Sequence, residues 1–112
     1  MATRIIVADD HPLFRDAITH LLERTVANLE AIQVDSFGAL GKTLAENALP
    51  SLVLLDLKLS DIQGMDGLLI LKKQYTSLPV LIISAYDDSS VVHMAMQYGA
   101  SGFIPKSLDM DR

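Results

Sequence analysis

The sequence predicts an α/β protein, a parallel β-sheet with helices packed on both faces. Two observations carry this. Short apolar runs recur at residues 5–8, 31–34, 52–55, 80–83 and 103–104, the second being the weakest. Segments with helical spacing of apolar residues lie between them. Strands buried on both faces read as continuous apolar runs, and their alternation with helices marks repeated βαβ units.

Each helical segment has its own signature. Residues 13–24 put Leu13, Phe14, Ala17, Ile18, Leu21 and Leu22 on one stripe, and Pro12 suits the first turn. Residues 38–48 form a weaker helix, carrying Leu40, Leu44, Ala45 and Ala48 and interrupted by Gly41. Residues 66–75 carry Leu68, Leu69 and Leu71. Residues 89–98 carry Val91, Val92, Ala95, Met96 and Tyr98, then Gly99 as a left-handed helix cap. Met94 and Met96 read as helix packing residues. Asp87-Asp88-Ser89-Ser90 reads as a helix start, and Asp61 and Asp66 as loop and cap carboxylates. A fifth helix is expected to begin at Ser107 or Leu108. The remaining "KSLDMDR" is too short to cover a sheet. Residues 1–112 are therefore read as one domain truncated at the start of its fifth helix. The uncovered sheet face would favour contact with a second chain, a homodimer among the options.

Composition narrows the function. The chain has 112 residues, half of them hydrophobic, and no cysteine. A chain of this length buries roughly two-thirds of its unfolded surface. The formal net charge of −5 argues against the chain itself binding nucleic acid. No apolar run approaches the roughly 18 residues of a membrane span, and no signal peptide is evident. A reducing cytoplasm is the expected location.

Functional sites in such sheets lie beyond the carboxyl ends of the strands. Asp9 and Asp10 end the first strand, Asp56 the third ("LVLLD") and Ser84 the fourth ("VLIIS"); Lys106 follows the fifth ("GFIPK"). With strand order 2-1-3-4-5, strands 1 and 3 are neighbours and the three carboxylates converge, with Ser84 and Lys106 across from them. Such a cluster stays ionised only around a cation, or one member takes up a proton. Oxygen ligands favour a hard cation such as Mg²⁺. A carboxylate beside it can act as nucleophile toward phosphorus, with Lys106 and Ser84 holding the phosphoryl oxygens. Taken singly, each residue has a plainer role: helix cap, turn residue, loop hydroxyl or surface lysine. Their joint placement on four strand ends outweighs those roles. His11, His20 and His93 lack metal-ligand spacing, and His11, though it adjoins the site, receives no catalytic role.

With these residues assembled, the chain resembles the receiver domain of bacterial two-component response regulators, from "IIVADD" to "FIPKS". The loop "LDLKLSDIQGMDGL" fits, with Gly64 and Gly67 in place. "DDHPLFRDA" and "GASGFIPKS" resemble the subfamily whose members carry a LuxR/NarL-type helix-turn-helix. The resemblance implies a flavodoxin-like doubly wound five-stranded sheet of order 2-1-3-4-5. It implies that Asp56 is the phosphoacceptor, phosphorylated by a sensor histidine kinase, and that the chain is not an enzyme beyond this self-catalysed transfer. Mg²⁺ would be held by Asp9, Asp10, Asp56 and the backbone carbonyl of Lys58. Ser84 and Phe103 would be the switch positions, controlling a DNA-binding output domain outside this chain. Lys58 and Tyr86, two positions after Asp56 and Ser84, would flank the path of attacking water. Three positions depart from the family pattern: Ser60 replaces the usual proline, Phe103 a frequent tyrosine, and Ser107 the proline that often follows the lysine in cis. A cis Lys106–Ser107 bond would cost roughly 2.5–4 kcal/mol.

Rival classes fit less well. A haloacid-dehalogenase-type phosphatase wants a second Asp two residues after the nucleophile, where Lys58 stands. A receiver that works without phosphorylation usually lacks an acidic or lysine position, and none is missing. A flavin-binding domain would need a Ser/Thr/Gly-rich phosphate loop after strand 1, and none is present.

Overall fold

The computed structural model describes residues 2–85 and 88–107. Strands and helices alternate: β1 (Thr3–Ala8), α1 (Pro12–Thr25), β2 (Leu29–Val34), α2 (Phe37–Glu46), β3 (Leu52–Asp56), α3 (Asp66–Gln74), β4 (Val80–Ser84), α4 (Ser89–Gln97) and β5 (Gly102–Pro105). The sheet order is β2-β1-β3-β4-β5, and every pairing is parallel. This is the predicted order, with the predicted four helices. Residues 108–112 lie outside the described residues, and with them most of the expected fifth helix. Ser107 sits in a turn.

Alternation along the strands divides the core. Ile6, Ala8, Val53, Leu55, Val80 and Ile82 pack with Leu40 and Leu44 of α2, Leu68 and Leu71 of α3 and Ala95 of α4. Ile5, Val7, Leu54 and Ile83 pack with Ile18 of α1, flanked by Phe14 and Leu22. Among the described residues, three helices thus cover one face and one covers the other. Leu81 and Ile104, on the α1 side, are only half-buried.

The helix faces correct the sequence reading in places. Leu13 is 87% exposed and Ala17 is exposed as well. Phe14, Ile18 and Leu22, four residues apart, already fill the stripe over the sheet, and Leu13 is turned about 100° from it. Thr19 is buried instead, with its hydroxyl satisfied by donating to the Arg15 carbonyl at 2.7 Å. Met94, Met96 and Tyr98 of the α4 region are exposed rather than packed; Ala95 alone of that helix is buried. Ala45 and Ala48 are exposed, and Ala48 lies beyond α2.

Polar groups fix the helix starts. The Asp88 carboxylate accepts the Val91 N–H at 2.9 Å and the Ser90 hydroxyl at 2.7 Å, as the helix-start reading expects; Asp87 lies outside the described residues. Ser36 Oγ accepts from the Ala39 N–H. Asp61, far off in sequence, accepts the N–H groups of Phe37 at 2.8 Å and Gly38 at 2.9 Å. It thereby ties the β3–α3 loop to the first turn of α2, and these two hydrogen bonds hold its carboxyl below the ordinary value of 3.8. Gly99, at φ 102°, provides the expected left-handed cap after α4.

Two stability predictions follow from this packing. Leu54→Ala, in the fully buried centre of β3, should cost about 3 kcal/mol in urea unfolding. Asp61→Ala should cost about 1 kcal/mol or less at neutral pH, the scale of a lost helix cap at an exposed site. Because the Asp61 pKa is depressed in the folded state, its contribution is present above 3.8 and is lost as pH falls through the folded value. The difference between the Asp61→Ala variant and the parent should therefore shrink in acid.

Candidate functional site

The strand ends place the functional groups, and backbone hydrogen bonds continue the ladder just past them. The Asp9 N–H donates to the Val34 carbonyl at 3.1 Å, Leu57 N–H to Ile83 at 3.0 Å, and Lys106 N–H to Ser84 at 2.9 Å. The loops leaving β1, β3 and β5 thus begin from anchored positions. Arg15 adds a clamp: its Nη1 donates to the Asp9 carbonyl at 2.8 Å and its Nε to Gln33 Oε1 at 2.9 Å.

Asp9, Asp56 and Ser84 are buried, and Asp56 is only 2% exposed. The Lys106 ammonium lies between the first two. It is 3.1 Å from Asp56 Oδ2, 3.0 Å from Asp9 Oδ2 and 3.2 Å from Asp9 Oδ1. Nζ also lies over the Phe14 ring, 4.9 Å from its centroid, within cation–π range. The other Asp56 oxygen accepts the Lys58 N–H at 3.0 Å. Asp9 Oδ1 accepts the His11 N–H at 2.8 Å. The helix-capping role that Asp9 and Asp10 would have in isolation is absent: His11 is the N-cap of α1, and no side chain caps that end.

Burial and the neighbouring Asp9 charge push the Asp56 carboxyl above 3.8, against the opposing pull of the Lys58 N–H and Lys106. With Asp10 nearby, three carboxylates meet a single lysine, so the ionised site carries more negative charge than Lys106 compensates. Asp9 Oδ2 and Asp10 Oδ1 are buried with no hydrogen-bond donor of good geometry, although Asp9 Oδ2 has its ion pair with Lys106. Atoms of Asp9, Asp10, His11 and Asp56 lie within 4.8 Å of one another. A cluster dominated by carboxylate oxygens fits a hard divalent cation.

The predicted residues Asp9, Asp10, Asp56 and Lys106 converge, and Ser84 ends the adjacent strand fully buried. Lys58 is exposed and meets the site through its backbone. Phe103 is half-buried on β5, opposite Ile82. Tyr86 lies outside the described residues. No cis peptide bond occurs among the described residues. One residue was underestimated: His11 Nδ1 is 3.1 Å from Asp10 Oδ1, 3.2 Å from Asp9 Oδ1, 3.8 Å from Asp56 Oδ2 and 2.9 Å from Lys106 Nζ. Its only sequence signal was adjacency to the acidic pair.

The raised Asp56 pKa has a measurable sign. The folded state holds the Asp56 proton more tightly than the unfolded state, so ionising it costs stability as pH rises above 3.8. In metal-free buffer, Asp56→Asn should raise Tm at pH 7. The gain should vanish toward pH 3, where both states are protonated.

Comparison with known proteins agrees with this geometry. The family model described as the response regulator receiver domain matches residues 5–112. The chain is 41% identical over 105 residues to the glycerol metabolism activator of Pseudomonas putida, covering 93% of this chain and 47% of that protein. It is 32% identical over 103 residues to the probable transcriptional regulatory protein NarL of Mycobacterium tuberculosis (strain ATCC 25618 / H37Rv), covering 92% of this chain and 47% of that protein. The chain thus spans about half the length of these relatives. Among solved structures, the signal receiver domain of NarL from Mycobacterium tuberculosis superposes with a TM-score of 0.80 at 30% identity, over 97% of this chain and 87% of that one. A LuxR-family two-component response regulator from Aurantimonas sp. SI85-9A1 gives 0.85 at 26% identity, over 98% and 78%. Fold, strand-end chemistry and sequence lead to one assignment: the chain belongs to the response regulator receiver domain family.

Proposed function

We propose that Asp56 is the phosphoacceptor and that Asp9, Asp10, Asp56 and the Lys58 carbonyl hold Mg²⁺ beside it. The observation that carries the reading is the convergence of three carboxylates with Lys106 bridging two of them. An Asp56 carboxylate oxygen attacks the phosphorus of a sensor kinase's phosphohistidine, or of a small acyl phosphate. The P–O bond to Asp56 forms as the P–N or P–O bond of the donor breaks, and the leaving group takes the electron pair. The reaction needs Asp56 ionised, and Lys106 favours that form against burial. Bound Mg²⁺ supplies charge neutralisation at the phosphoryl oxygens. Lys106, 3.1 Å from Asp56, is placed to hold a phosphoryl oxygen as charge moves onto it. Hydrolysis by water at phosphorus restores the carboxylate, and Lys58 flanks that path.

In this reading the new phosphoryl group draws the Ser84 hydroxyl, and Phe103 turns inward behind it. The surface of α4 and β5 then changes between two states. Relatives named as transcriptional regulators support a role in transcription, through a LuxR/NarL-type helix-turn-helix domain in the whole protein. No helix among the described residues is long and apolar enough to cross a membrane. A cytoplasmic location and a homodimer contact belong to the same proposal.

Incubation with acetyl phosphate and Mg²⁺ should give a Phos-tag gel shift that chelation or Asp56→Asn abolishes. A shift that persists in Asp56→Asn would sink the assignment. Lys106→Ala should slow phosphoryl uptake by roughly 10²-fold, the scale of removing one preorganised donor. Lys58→Ala should change the dephosphorylation rate, measured by decay of the shifted band.

A further inference from the structure

We infer that His11 makes the acidic pocket selective: it is an additional ligand when a borderline transition-metal cation such as Co²⁺ binds, and it stands aside for Mg²⁺. The inference deepens the proposed Mg²⁺ reading and rests on it. Its basis is the position of one ring nitrogen.

His11 Nδ1 points into the pocket between the Asp9 and Asp10 carboxylates, at 3.2 and 3.1 Å, with Lys106 Nζ at 2.9 Å. These neighbours make incompatible demands on a single atom. With Nδ1 bare, the ring can accept from Lys106, but its lone pair then faces two carboxylates. With Nδ1 protonated, it can donate to a carboxylate, but its N–H then faces an ammonium, which has only donors. A cation among these atoms resolves the conflict, because lone pairs of imidazole and carboxylates would all point at positive charge. The spacing suits this. Two ligands on opposite sides of a small divalent ion lie about 4.2 Å apart, and the four residues' atoms lie within 4.8 Å. Contraction by roughly half an ångström closes the set.

Ligand chemistry then separates the cations. Imidazole nitrogen raises affinity along the Irving–Williams series and adds little for Mg²⁺, which prefers oxygen and keeps water. The His11 side chain is 60% exposed, so it can swing out when Mg²⁺ takes the carboxylates. Asp9, by contrast, is fully buried and held by the backbone, so the oxygen part of the site is common to both cations.

Titration of the full chain with CoCl₂, followed by the visible absorption of bound Co²⁺, tests this, with MgCl₂ affinity taken from its displacement of that signal. The pocket's component is the part lost in Asp10→Asn, which excludes binding at His20 or His93. Wild type is expected to bind Co²⁺ at least tenfold more tightly than Mg²⁺. His11→Ala and His11→Gln should each weaken Co²⁺ tenfold or more while Mg²⁺ changes less than twofold. Equal changes for both cations, or none for Co²⁺, would overturn the inference and leave the Mg²⁺ site standing. An Asp10-dependent signal that Mg²⁺ fails to displace would overturn both.

Discussion

The Lys106 ammonium is shared between two buried carboxylates, and the electrostatics of the strand-end site depend on that sharing. Asp9 directly follows β1 and Asp56 ends β3, with α1, β2 and α2 between them in sequence. They become neighbours only because β1 and β3 pair directly. Each would be costly to bury with its charge. One ammonium at 3.0–3.1 Å from both keeps the pair tolerable without neutralising it. With Asp10 included, three carboxylates face one lysine, leaving two formal negative charges. A divalent cation has the charge to balance them. The raised Asp56 pKa reflects the same imbalance, with burial the larger cause.

This imbalance is sustained by a scaffold that does not relax it away. The polar residues sit at strand ends preceded by buried apolar residues: Val7 and Ala8 before Asp9, Leu54 and Leu55 before Asp56, Ile82 and Ile83 before Ser84. Packing on both faces fixes these strands, so the carboxylates cannot separate without tearing the sheet. Sites carried on regular elements hold their geometry more tightly than sites carried on loops. The stability lost at Asp56 is offset by the core around it; on the proposed reading, removing the charge stabilises the fold while it ends phosphoryl acceptance.

Much of this was legible in the sequence because two independent regularities agree. Apolar runs of two to four residues forced buried strands, and carboxylates recurring at their ends forced one site once the order was 2-1-3-4-5. Side-chain faces were less legible. Leu13 and Phe14 are adjacent apolar residues, and composition alone does not say which faces the sheet; packing of Phe14 with Ile18 and Leu22 decides it. Met94 and Met96 read as core, yet α4 is short, and its burial is confined to Ala95 with partial cover from Val91 and Val92. His11 was hidden for a different reason. Asp9 and Asp10 directly precede it, a spacing that no metal-ligand pattern singles out, while Asp56 and Lys106 reach it from the ends of β3 and β5. Asp61 reads locally as a loop carboxylate, and its capping of α2 over more than 20 residues of sequence is a tertiary fact that no local pattern encodes.

The register of the last two strands shows how a charge event at the site could reach the surface. Ile82 pairs with Phe103, and Ser84 with Pro105. Partners in a parallel pair share a face, and residues two apart on a strand share a face. Ser84 and Phe103 therefore belong to the same side of the sheet, the side where Ile82 and Phe103 pack into the cluster under α2, α3 and α4. On the proposed reading, a phosphoryl group that draws Ser84 toward Asp56 vacates space on that side and not on the α1 side. The half-buried Phe103 can use the space only by moving relative to α4, whose contact with the core is thin. The helix that holds its place with a single fully buried alanine is thus the one best placed to move.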